Sequence, residues 1–75
     1  MIWQALGRNQ MHAKLSPGVS ASVYPVGKRG QYAWSVYRWH LGQRGDIDGI
    51  AGGRADTMAS GMQLARLAAS EAGLL

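Results

Sequence analysis

QYAWSVYRWH, residues 31–40, holds most of the aromatic residues of the chain. Aromatic and β-branched residues suit the pleated surface of a β-strand. Side chains alternate between the two faces of a strand, so this segment divides into two sets. One set is Tyr32, Trp34 and Val36, and the other is Ser35, Tyr37 and Trp39. Because both faces carry large apolar groups, we expect one face to pack against the core. The other face is expected to contact a ligand, another segment of the chain or a second copy of the protein.

The segments around this strand predict an antiparallel sheet. Glycine and proline interrupt the chain at residues 16–18, 26–30 and 41–45, at intervals too short for helices. Between the first two breaks, Val19, Ala21 and Val23 alternate with polar or aromatic residues, which indicates a strand with one apolar face. A third, glycine-rich strand is expected around residues 46–51.

The C-terminal residues 56–72 predict a helix. Asp56 or Thr57 is a suitable N-cap, and Gly73 is placed to end the helix at C′. At 100° per residue, small and apolar residues share one broad side: Met58, Gly61, Met62, Leu64, Ala65, Ala68, Ala69 and Ala72. Small residues let a helix lie close to a sheet but fill little of the core. Trp34 is expected to fill the remaining core volume.

Residues 1–16 favour an additional strand or hairpin, with a short helix as the alternative. The chain of 75 residues is too short for two cores. We therefore predict a single α+β domain, an antiparallel sheet of three to four strands packed on one C-terminal helix (βββα). Residues 19–54 form its sheet.

Composition narrows the possible partners. The chain has no cysteine and a net charge of +4, which favours nucleic acid or an acidic protein surface. No apolar run approaches the ~18 residues that a membrane span needs. The first residues lack the features of a signal peptide, so a cytoplasmic protein without membrane contact is expected.

No residue pattern predicts catalysis. The sequence shows no nucleophile turn, no phosphate-binding glycine loop and no His-x-x-x-His helix. Residues 46–49 echo the start of a calcium loop, but no glutamate follows at the ligand position. His12 and His40 have no ligand spacing around them. We therefore expect no enzyme, no metal and no cofactor.

The second face of the aromatic strand is the predicted contact surface. Tyr37 and Trp39 would stand opposite the helix, beside basic turns, as in sheets that stack unpaired bases. The predicted contacts are Lys28, Arg29, Tyr37, Arg38, Trp39 and Arg44. Two alternatives stay open: the N-terminal segment packs across this face, or the face forms a homodimer.

The order of elements resembles the three-stranded-sheet-plus-helix DNA-binding domains of phage and transposon integrase arms and of plant ethylene-response factors. The matching residues are 27–30 (GKRG), 34–38 (WSVYR) and 55–57 (ADT). The resemblance implies that Lys28, Arg29, Arg38, Trp39 and Arg44 contact nucleic acid, with DNA favoured over RNA. The third strand departs from those families, because it is acidic and rich in glycine.

The same order of elements is similar to small accessory proteins of phages and mobile elements, including some anti-CRISPR proteins. That resemblance implies an inhibitor that binds a host nucleoprotein effector complex by protein contact, in the cytoplasm of a bacterial host cell.

Overall fold

A computed structural model of the protein describes residues 2–27, 30–39 and 47–75. The chain forms a five-stranded antiparallel sheet whose strands lie in chain order, followed by one helix. The strands are β1 (Trp3–Ala5), β2 (Met11–Ser16), β3 (Val19–Val26), β4 (Gln31–Trp39) and β5 (Ile47–Ala55), and the helix is α1 (Met58–Glu71). The α+β class is confirmed, but the predicted sheet of three to four strands is too small.

Within residues 1–16 the chain forms a hairpin, which is one of the structures predicted for this segment, and not the alternative helix. This hairpin supplies the extra strands. β1 and β2 form an antiparallel hairpin, and β2 continues the sheet beside β3. The alternation of Met11, Ala13 and Leu15 is the pattern that indicates β2. β1 has three residues, which is too short for a pattern of its own to be visible in the sequence.

The pairing of β3 with β4 is regular from Val19 opposite Arg38 to Val26 opposite Gln31. Residues that face each other across a strand pair share one side of the sheet. Val23 therefore lies beside Trp34 on the side that α1 covers. The faces predicted for β4 agree with this pairing.

β5 is longer than the sequence predicts and contains a bulge. Val36 pairs with Ala51 and the next residue, Tyr37, pairs with Gly49, so Ile50 is the extra residue. Ile50 packs against the core. The strand continues through Gly52 and Gly53 to Ala55, although paired glycines are more typical of a break.

α1 lies close to the sheet because the residues on its buried side have small side chains or none. Of the two expected N-cap residues, Thr57 is the cap, and its hydroxyl accepts a hydrogen bond from the Ser60 backbone N–H at 3.0 Å. The buried residues of α1 are Gly61, Ala65 and Ala69, which lie one turn apart. Leu64, expected on the packing side, is 38% exposed instead.

The core is built from valine and alanine. The largest side chains that are fully buried are Val23 and Val36. Partly buried groups surround the central cluster, among them Trp3 from the N-terminal hairpin, Leu15 and Trp34. Among the described residues, no helix has both the length and the apolar character needed to cross a membrane.

Candidate functional site

The side of the sheet opposite α1 is the candidate site, and we call it the open face. α1 contacts β3, β4 and β5 from the other side, and no described helix lies over the open face. Its residues form rows that run across the strands. The central rows are Lys14, Ser20, Tyr37 and Gly49, then His12, Ser22, Ser35 and Gly52. A third row is Tyr24, Ala33 and Arg54.

Tyr37 is held in place at the centre of the open face. Its hydroxyl and the Ser22 hydroxyl share a hydrogen bond of 2.9 Å. The direct partner of Tyr37 on β3 is Ser20, so Ser22 is a diagonal neighbour. To reach it, the Tyr37 side chain must lean over β3 rather than stand away from the sheet. The ring is half-buried in this position and presents a flat aromatic surface.

A trough of about 520 Å³ lies on the open face. Leu6 and Tyr24 are among the apolar residues that line it, and Tyr37 and Gly49 line it on β4 and β5. Met11 and Val23 also border the trough, although strand pairing places both on the helix side of the sheet. Leu6 is 60% exposed and Tyr24 is 40% exposed. Exposed apolar surface of this kind is typical of binding sites.

The charged side chains that the structure describes on the open face are cationic. Lys14 and Arg54 are exposed, and His12 is half-buried. None of the described residues that strand pairing places on this face is acidic. The backbone of Asp48 pairs with Arg38, and Arg38 pairs with Val19 on β3. Val19 belongs to the core, so this row of residues lies on the helix side of the sheet. An anionic ligand is therefore favoured on the open face over a cationic one.

The structure brings together only part of the predicted contact set. Tyr37 lies at the centre of the open face, whereas Arg38 follows it on the helix side and is exposed there. Trp39 ends β4, and its side chain lies outside the described part of the structure. The remaining predicted contacts, Lys28, Arg29 and Arg44, also lie outside the described residues.

Sequence reasoning missed three cationic or titratable residues of the open face: His12, Lys14 and Arg54. The alternation in residues 11–15 shows that His12 and Lys14 share a side. It does not show which strand β2 joins, and only the pairing with β3 brings Lys14 into the row of Tyr37.

The N-terminal segment does not lie across Tyr37. It extends the sheet at its edge, with β2 between β1 and β3, so it widens the open face instead of covering it. Only Leu6 and the residues near it approach the trough, from the turn between β1 and β2. Strand pairing therefore places β1 and β2 beside β3 in the sheet, not above Tyr37.

Within the described part of the chain, no group of three or more His, Asp or Glu side chains is placed to hold a metal ion. Comparison of the chain with protein families, with curated proteins and with solved structures finds no significant match.

Proposed function

We propose that the protein is a non-enzymatic nucleic-acid-binding module that uses the open face. The observation that carries the proposal is Tyr37, an aromatic ring held by Ser22 in a row with Lys14, on a face with no described carboxylate. Aromatic side chains beside cations are the means by which sheets hold nucleic acid bases and phosphates. The net charge of +4 supports the same class of partner.

The roles of the side chains follow from their chemistry. The ring of Tyr37 would contribute stacking, worth about 1–3 kcal/mol per base. Lys14 and Arg54, on opposite sides of the ring across the sheet, would contact phosphates. Lys28, Arg29 and Arg44 belong to the proposal from the sequence alone, as basic residues in the connections on either side of β4.

Loss of the ring tests the proposal directly. We expect Tyr37→Leu to weaken binding of a labelled oligonucleotide about five- to 150-fold, which corresponds to the loss of one stacked base. Fluorescence anisotropy at about 50 mM salt, where phosphate contacts are strong, measures this change. Tyr37→Phe keeps the ring and removes the hydroxyl that bonds to Ser22, so it should lose less affinity than Tyr37→Leu if stacking is the main contribution. Absence of binding by the unaltered protein under these conditions contradicts the proposal.

A charge change at Arg54 tests the phosphate contact. Arg54→Gln should lower the slope of log K against log salt by about 0.7, the value for one contact with a single strand. Arg66→Gln makes the same change of charge on the exposed surface of α1 and should leave the slope unaltered. Equal slopes for both variants would mean that the effect is one of net charge, and that Arg54 has no phosphate contact.

A second candidate function uses the same face for protein contact. The exposed apolar residues that line the trough, Leu6 and Tyr24, favour it. The partner would be a host nucleoprotein complex, such as a CRISPR effector that the protein inhibits, or a second copy of this chain. Binding through such a wall depends weakly on salt, whereas phosphate contact weakens steeply as salt rises. Light scattering of the protein alone detects the homodimer.

A further inference from the structure

His12 lies on the open face with its ring nitrogens accessible to solvent. β2 holds it between Gln4 on β1 and Ser22 on β3. The side chain is half-buried, and within the described part of the chain no hydrogen bond or ion pair holds its imidazole. No buried side-chain nitrogen or oxygen of the described residues lacks a hydrogen-bond partner, so the nitrogens of this ring reach solvent. Both nitrogens are therefore available to a ligand on the open face.

The described groups around His12 are neutral or cationic. Its direct neighbours, Gln4 and Ser22, carry no charge. The exposed Arg8 lies in the turn that joins β1 to β2. The titratable or charged groups that strand pairing places on the open face with His12 are Lys14, Tyr24, Tyr37 and Arg54. None of these groups is a carboxylate, so a proton bound by the imidazole adds positive charge to a surface that is already cationic.

Histidine differs from the other cations of the open face in how its charge depends on pH. Its ordinary charge change falls between about pH 5 and pH 8, whereas lysine and arginine keep their charge throughout that range. The chain has two histidines, and the second, His40, lies outside the described residues. Among the described residues of the open face, His12 is therefore the one whose charge changes in this range.

We propose that His12 is a phosphate-binding residue of the open face that acts in its protonated form. This inference rests on the proposed function and adds its regulation, a binding of nucleic acid that tightens as the pH falls. A protonated imidazole offers a phosphate a positive charge and two N–H donors, whereas the neutral ring has one donor and no charge. The phosphate favours the charged form, so binding takes up a proton from the solvent. By linkage, the affinity then rises as the pH falls.

The test measures binding of a labelled oligothymidylate by fluorescence anisotropy at two pH values, about 5.5 and about 7.5, on either side of the ordinary histidine range. Thymine is the chosen base because it has no group that titrates between these values. We expect the unaltered protein to bind about two- to fivefold more tightly at the lower pH, which is the effect of one exposed ion pair. His12→Gln should remove this difference and bind at both pH values as the unaltered protein does at the higher one.

Two further variants identify the residue and its charge. His40→Gln is the matched control, because it makes the same change at the other histidine and should keep the pH dependence. His12→Arg carries a positive charge at both pH values. It should bind at the higher pH as tightly as the unaltered protein does at the lower one, which tests the charge at position 12 without relying on the glutamine variant. The thermal unfolding midpoint of each variant shows whether it is folded.

The outcomes separate this inference from the proposed function. If the unaltered protein binds equally well at both pH values, or if His12→Gln keeps the pH dependence, His12 is not the phosphate contact and the proposed function stands. An equal loss of affinity at both pH values for His12→Gln would mean that the neutral ring acts, which also overturns the inference alone. The same holds if His40→Gln removes the pH dependence. Failure of the unaltered protein to bind at either pH overturns both proposals.

Discussion

At the scale of single residues, the contact between Gly61 and Val23 determines how close α1 lies to the sheet. A Cβ atom at position 61 would lie 2.9 Å from Val23 Cγ1, and Val23 is fully buried and β-branched, so it has little freedom to move. We expect Gly61→Ala to lower the free energy of unfolding by about 1–3 kcal/mol, the usual range for overpacking. Urea denaturation measures this loss.

The control for this change is Gln63→Ala on the exposed side of α1. Alanine is the strongest helix former, so the control should be neutral or slightly stabilising. Replacing glycine by alanine in an exposed helix interior gains about 1 kcal/mol. A gain of that size for Gly61→Ala would mean that no close contact with Val23 exists.

Trp34 illustrates how a residue with a correctly predicted face can still have an unexpected environment. The sequence places it in the core, opposite the small residues of the helix. In the structure it is half-buried and its ring lies against Gly53, its direct partner on β5. Its volume therefore supplements the edge of the core, while the centre is filled by Val23 and Val36. An aromatic ring that covers a glycine on the neighbouring strand also shields the backbone there.

At the scale of elements, strands and helices with an uninterrupted apolar periodicity could be predicted from the sequence, and those with an interrupted periodicity could not. Alternation marks β3 and β4, and the cap and small residues mark α1, because each has one apolar side against the same core. β1 is too short to show a period, and the bulge at Ile50 shifts the alternation within β5. Gly52 and Gly53 look like a turn in the sequence because they are explained by close contact with Trp34, which is a tertiary feature.

The same distinction holds for the candidate site. The aromatic side of β4 follows from local alternation, so Tyr37 could be identified from the sequence. Its cationic neighbours depend on strand order, which places β2 next to β3 and brings Lys14 into the row of Tyr37. Strand order is a long-range property that the periodicity of one segment does not contain.

At the scale of the whole molecule, the core is small and the described residues leave one side of the sheet without a helix over it. The accessible surface is 5258 Å² for a chain of 8.0 kDa. Mass scaling gives roughly 4,500 Å² for a monomer of that size. The larger observed area fits a sheet that is covered on only one side. A domain of this kind has little stability to spare, so a ligand bound to the native state should raise its stability measurably.

The last prediction follows from this linkage. A ligand at 100 times its dissociation constant adds about 2.7 kcal/mol to the free energy of unfolding. For a domain of 60–100 residues, each kcal/mol shifts the unfolding midpoint by about 4–8 °C. A single-stranded oligonucleotide at that excess should therefore raise the midpoint by roughly 10–20 °C. Thermal unfolding followed by circular dichroism measures the shift. Tyr37→Leu at the same oligonucleotide concentration should show a clearly smaller shift, because it binds more weakly. An equal shift for both proteins would mean that the oligonucleotide stabilises the fold from a surface other than the open face.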